Sequence, residues 1–228
     1  MVSNRPTPIP VEAHEVIRET WDNGTKKTAD YFVDGQLVAY RYWNETGQLE
    51  VETGIRDDQR HGLFRTWYEN GQLEAVTWYE NGKEHGTSEQ YDKNGNLIGT
   101  YTMVHGTGID LWFEESGFLA EERHLLDGER HGYERWWDRN NRTIWKESHF
   151  WHGVKQGIFR EWNRAGQLGH GYPQYFVAGQ RVSKRQYERA CRHDPTLPPF
   201  RAEENSPTRQ LPEEVQRMAQ VHKPDVPY

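Results

Sequence analysis

Three histidines, His61, His85 and His131, stand directly before Gly62, Gly86 and Gly132. Imidazole is well suited to binding a transition metal or to moving a proton near neutral pH. A shared zinc ion would need their nitrogens about 2.0–2.1 Å away. If the three open equivalent strands of successive hairpins, two strand spacings, about 9.6 Å, separate neighbours, which is too wide for one ion. His149 and His152 are close in sequence but lack acidic or cysteine partners at ligand spacing. The recurring histidines are therefore expected to serve turn hydrogen bonds along one rim. The alternatives are a pH-sensitive or ligand-binding rim and, further off, an enzyme that uses it.

Other reactive groups have plainer readings. Gly106-Thr107-Gly108 opens no helix and lacks the third glycine of a nucleotide loop, so a shortened repeat turn explains it. The acidic pairs Glu121-Glu122 and Glu203-Glu204 read as solvated surface. Cys191 is the only cysteine, which excludes an intramolecular disulfide and a multi-cysteine metal site. It reads as a small packed residue in a terminal helix. Without a nucleophile elbow, phosphate loop or paired-carboxylate site, no catalytic residue, metal ligand or cofactor is assigned, and the chain reads as no enzyme.

Aromatic and arginine residues recur more strictly. Trp43, Trp67, Tyr91, Phe113, Trp137 and Trp162 each lie four residues before a turn position, and Arg41, Arg65, Arg135 and Arg160 lie six before one. Alternation along a strand puts the two series on one face, together with Leu63, Ile109 and Ile158 two residues earlier. Guanidinium over ring is a cation–π contact, worth about 0.5–1 kcal/mol when exposed. Either the rings are structural rungs between repeats or they are anchors for a protein partner, for which Trp, Tyr and Arg are enriched.

These side chains are positioned by a repeat. The turn positions are Gly24, Gly47, Gly71, Gly95, Gly117, Asn141 and Gly166, spaced by 22 to 25 residues. Glycines recur nine residues before five of them, at Gly62, Gly86, Gly108, Gly132 and Gly157, and from Gly47 onward a leucine follows two residues after, except at Thr143. A second turn track runs through Gly35, Asp58, Gly82, Gly106, Gly128, Gly153 and Gly179. Turns alternating at this interval leave strands of ordinary length between them. Segments such as Phe64-Arg65-Thr66-Trp67-Tyr68 are aromatic and β-branched without a helical period. The expected fold is all-β: a single elongated, curved antiparallel meander of about seven hairpins, one per repeat. Reading Asn70-Gly71 as a two-residue loop pairs Tyr68 with Leu73 and Glu69 with Gln72.

The spelling of these units, with Asn-Gly-Gln-Leu after an aromatic and a glycine nine residues before the turn, resembles the MORN-repeat variant family over roughly residues 20 to 182. The resemblance implies a β-hairpin repeat array. It also implies a protein-binding role, since bacterial members are often described as antitoxins of toxin–antitoxin systems and other MORN proteins as scaffolds on membranes or partner proteins. Departures are Asn141 at a turn glycine, Asp58 in the second track and the short step from Gly106 to Gly108.

Residues 1–10 read as a flexible arm, 11–182 as the array and 183–228 as an extension. Within the extension, Ser183 can cap a short helix through Arg192. The segment from Asp194 to Pro207 is Pro-rich and polar and reads as extended or disordered. Pro212 to Gln220 reads as a second helix, with Pro224 past its end. Only 34% of residues are hydrophobic while 13% are aromatic, which suits a thin sheet held by large rings. The net charge of -7 disfavours nucleic acid and anionic membrane as partners. With no apolar signal region or spanning run, the expectation is a cytoplasmic protein-recognition or scaffold module whose partner is a protein, which the resemblance implies to be a toxin.

Overall fold

The computed structural model describes residues 9–139 and 142–220. Most of the expected N-terminal arm, the turn at Asn141 and Pro224 lie outside those residues. The chain forms two compact units, divided after His105.

The first unit is a run of antiparallel strands: β1 (His14–Thr20), β2 (Lys26–Val33), β3 (Gln36–Trp43), β4 (Leu49–Arg56), β5 (Gln59–Trp67), β6 (Leu73–Glu80), β7 (Lys83–Glu84), β8 (Gly86–Tyr91) and β9 (Leu97–Val104). Each pairs with the next, except that β7 and β8 both lie along β6 as one strand interrupted at His85. The second unit continues in the same manner with β10 (Thr107–Phe113), β11 (Leu119–Leu126), β12 (Glu129–Trp137), β13 (Ile144–Trp151), β14 (Val154–Lys155), β15 (Gly157–Glu161), β16 (Gln174–Val177) and β17 (Gln180–Val182). The all-β meander of hairpins is thus present in each unit. Ala178-Gly179 is the turn joining β16 to β17.

Two turn chemistries alternate along the chain. At Asn70-Gly71 the Tyr68 carbonyl accepts from the Gly71 amide at 2.9 Å, and the Tyr68 amide donates to the Gln72 carbonyl at 2.9 Å. This is a three-residue loop closed by a glycine bulge. Tyr68 therefore faces Gln72 and Trp67 faces Leu73, which corrects the two-residue register. A further bulge sits one rung into the sheet, between Thr66 and Trp67, and recurs before the other such loops. The second track consists of two-residue turns with both residues left-handed, as at Asn81 (φ 49°) and Gly82 (φ 79°). Asp58, where the glycine is missing, still adopts φ 58°.

Gly71 shows why the first track needs glycine: its φ is +82°, and a Cβ there would stand 3.2 Å from Gln48 Oε1 of the preceding repeat. Gly71→Ala is expected to lose about 1–2 kcal/mol, read as a lower urea midpoint. Gly71→Asn should recover part of it because asparagine tolerates this conformation. The glycines nine residues before the turn have a different duty. Gly157, with φ 127°, lies where a Cβ would meet His149 Cβ at 2.9 Å.

Apolar cores are small and local. In the first unit Ala29, Tyr31 and Ala39 pack with Val38 and Trp43. In the second, Ile158 and Tyr175 of the sheet enclose Tyr187 and Leu197 of the C-terminal extension. Helix α1 (Lys184–Ala190) begins at Ser183 with a complete capping box: Ser183 Oγ accepts from the Gln186 amide and Gln186 Oε1 from the Ser183 amide. Helix α2 spans Glu213–Gln220. No helix among the described residues is long and apolar enough to cross a membrane.

Candidate interaction surface

Strand register carries the arginines six residues before each turn into a line across each unit. Arg41 lies opposite Glu52, and Glu52 opposite Arg65. In the second unit Glu122 lies opposite Arg135, Arg135 opposite Glu147, and Glu147 opposite Arg160. Glu52 and Glu122 stand five residues after a turn glycine and Glu147 six after its equivalent Asn141, and all are buried, at 1%, 0% and 0% exposure. Facing charges directly across a ladder stabilise the pairing.

The contacts are direct. Arg41 Nε is 2.8 Å from Glu52 Oε2 and Arg65 Nε 3.0 Å from Glu52 Oε1, with the Nη2 of each also on that carboxylate. Arg135 reaches both neighbours, Nη1 to Glu122 at 2.7 Å and Nε to Glu147 at 2.9 Å. Arg160 Nη1 donates to Glu147 at 2.7 Å. Burial by itself would raise the Glu122 carboxyl, but hydrogen bonds from His124 and Trp137 and the charge of Arg135 hold it below the usual carboxylate range. Glu122 is thus not the solvated surface its neighbour Glu121 suggested. A polar residue in mid-strand reads as solvent-facing unless the position five or six after the turn is compared across repeats.

The aromatic series shares this face. Phe113, Trp137 and Trp162 are buried, whereas Trp43, Trp67 and Tyr91 are half-exposed. Leu63, Ile109 and Ile158 are buried on the same side. Expected arginine–ring contacts occur at Arg65 over Trp67 (5.5 Å), Arg41 over Tyr31 (5.3 Å) and Arg135 over Tyr133 (4.0 Å). They accompany the carboxylate contacts, which dominate the geometry.

In the second unit the C-terminal extension lies on this face. Arg160 Nη2 meets Glu204 Oε2 at 3.1 Å, Arg160 Nε donates to Asn205 Oδ1 at 3.2 Å, and Trp162 Nε1 donates to the Asn205 carbonyl at 2.8 Å. Pro207 and Arg209 add backbone hydrogen bonds to Ile144 and Arg142, and Arg209 Nη1 reaches Glu147 at 3.4 Å. Gln156 holds Asp194 and Thr196 at 2.9 and 2.8 Å. The segment is extended apart from one 3-10 turn at Ala202–Asn205. Its polar composition, which suggested disorder, is matched by buried polar partners on the sheet. Glu204 is likewise a paired group, not a solvated one.

The histidine rim behaves as turn chemistry. His61 Nδ1 accepts from the Asn81 amide at 3.5 Å and His85 Nδ1 from the His105 amide at 3.2 Å. Thr107 and Gln156, at the same repeat position, accept from Asp127 and Ala178 at 3.0 and 2.7 Å. Each caps the first residue of the next two-residue turn. His131 differs: its Nδ1 is buried without a hydrogen bond and its ring packs on Trp151 at 4.1 Å. Desolvation and the nearby His152 keep it below the ordinary imidazole range. His149 is buried and bonded through Nδ1 to the Gln156 carbonyl.

One cluster escaped the spacing argument because it joins the rim to the second turn track. Glu80, His85 and His105 bring potential ligand atoms within 4.8 Å of one another. The two rings stack at 4.2 Å, inclined by 28°. With Nδ1 of His85 accepting the turn amide, its Nε2 carries the ring proton in the neutral form. Coordination there would require giving up the cap, so this arrangement favours the turn. Toward the rim, the first unit also has an open groove of about 780 Å³ lined by Leu37, Ile55, Leu63 and Trp78, with His61 and Asp57 beside them.

Residues 60–77 and 84–105 match the family model for the MORN repeat variant. Those two segments are MORN-variant repeats. The matched segments include Arg65 and Trp67 in one repeat and Glu89 and Tyr91 in the next. Outside them similar strand registers and alternating turns recur in both compact units. No curated protein shows significant similarity to the chain. MORN repeats point to a binding or scaffold module.

Proposed function

We propose that the protein is a non-enzymatic, cytoplasmic recognition module that binds a protein partner on the aromatic–arginine face of its first unit. The observation that carries this reading is the state of Trp43 and Trp67. Both are half-buried, Trp67 beneath the Arg65 guanidinium and Trp43 beneath the Lys26 ammonium, and neither indole N–H has an acceptor among the described residues. A large ring with an unused donor next to a guanidinium is the composition of an interface anchor. The finer reading is an antitoxin-like role, in which the partner is a toxin that the module neutralises.

Affinity capture from the native host tests this at physiological salt. The full chain should retain a stable partner, encoded by an adjacent gene if the antitoxin reading holds. Trp67→Ala, with its β-sheet spectrum and melting transition unchanged, should lose that partner. Unfolding of Trp67→Ala would assign the ring a structural role instead, and failure to capture any partner would reject the proposal.

A further inference from the structure

The second unit carries a worked example of what the MORN face accepts. There each rung arginine contacts two carboxylates: Arg135 has Glu122 and Glu147, and Arg160 has Glu147 and Glu204. The sheet supplies Glu122 and Glu147. The third, Glu204, arrives on the extension. At the same rung the Trp162 indole donates to the main-chain carbonyl of Asn205, and Asn205 Oδ1 takes the Nε of Arg160. A glutamate-bearing 3-10 turn is thus read by one guanidinium and one indole, two residues apart in sequence.

In the first unit the same pair of residue types, Arg65 and Trp67, stands at the same repeat position with half of that set missing. Glu52 is on one side of Arg65; the cross-strand neighbour on the other side is Val76. One carboxylate, Glu52, serves two guanidiniums, those of Arg41 and Arg65. Arg65 Nη1 and the Trp67 indole have no acceptor among the described residues. The rung lacks a carboxylate and a carbonyl, the two groups that Glu204 and Asn205 bring to Arg160 and Trp162.

Resting on the proposed recognition role, we propose that the Arg65–Trp67 rung binds a turned segment of the partner protein that presents an acidic side chain, in the geometry its own residues 204–205 use. A partner glutamate or aspartate pairs with Arg65, and the next residue's carbonyl accepts from Trp67 Nε1. Such a charge-assisted contact selects an acidic peptide even though the chain as a whole carries a charge of -7.

The probe is a synthetic peptide with the sequence of residues 201–209, labelled and titrated onto the full-length protein. Saturable binding is expected, weakened about tenfold or more by Trp67→Phe, which keeps the ring and removes only the donor. The peptide variant Glu204→Gln should weaken it comparably, and raised salt should weaken it further. Trp112→Phe, an exposed ring on the opposite side of a different unit, should leave it unchanged. Absence of binding at millimolar peptide overturns the inference. So does binding that depends on Trp162 and ignores Trp67, because the peptide would then be replacing the chain's own extension. A dimer in light scattering that excess peptide dissociates would make the occupant a second copy and overturn the assignment to a partner. Capture of a partner that neither Trp67→Phe nor excess peptide disturbs would leave the recognition role standing and reject this mode of it.

Discussion

Glu147→Ala is expected to cost about 3–5 kcal/mol of stability, as removal of one partner from a buried ion pair does. The carboxylate is fully buried and touches three guanidiniums, Arg135 at 2.9 Å, Arg160 at 2.7 Å and Arg209 at 3.4 Å. Without it Arg160 keeps only Glu204, and Arg209 is left with no carboxylate that it contacts directly. The size of the loss comes from stranded charge more than from a lost attraction, so Glu147→Gln should also be costly although it conserves volume. Denaturant unfolding gives the magnitude. Hydrogen exchange should place the loss at β12, β13 and the extension. A cost below about 1 kcal/mol, the range of exposed pairs, would mean that water reaches the ladder and that it is not the core of the second unit.

Tyr187→Ala should be comparably severe for the extension, at about 3–5 kcal/mol by analogy with other buried aromatic truncations. Tyr187 is fully buried between Tyr175 and Leu197, and its hydroxyl donates to the Pro198 carbonyl at 2.5 Å. Losing the ring removes the anchor that seats α1 and the chain after it. The expected readout is rapid proteolysis between residues 194 and 211, together with exposure of Trp162, whose indole donor would lose the Asn205 carbonyl. Tyr187→Phe keeps the ring and should lose only about 1 kcal/mol, the net value of one hydrogen bond. If Tyr187→Ala left the segment protease-resistant, the polar contacts at Arg160 and Gln156 would be holding it unaided.

How far the sequence could be read depended on whether a feature repeats in type as well as in spacing. Trp67 and its counterparts repeat in both, so their shared face with Arg65 and Leu63 was legible before any coordinates. The loop at Asn70-Gly71 was legible as a turn but not in kind: Asn-Gly serves a two-residue turn and a three-residue bulged loop equally well, and the register shifts with the choice. Glu52, Glu122 and Glu147 were hidden because a glutamate on an alternating strand ordinarily faces water. Only the opposing arginine on the next strand, distant in sequence, makes its burial favourable. The extension was hidden for a related reason. Nothing local in Glu204-Asn205-Ser206-Pro207 announces that Arg160 and Trp162 complete its hydrogen bonds.

The caps on the two-residue turns run in one direction along the chain. His61 serves Asn81, His85 serves His105, Thr107 serves Asp127 and Gln156 serves Ala178, so each acceptor precedes its turn by 20 to 22 residues. On the other edge Asn70 donates forward to Lys93, and Tyr68 forward to Tyr91. At these four turns a chain leaving the ribosome therefore has the partner already in hand, whereas His131, at the same repeat position, caps nothing through Nδ1. The array can assemble vectorially, one hairpin at a time, and a whole repeat can be inserted or deleted without leaving an earlier turn uncapped.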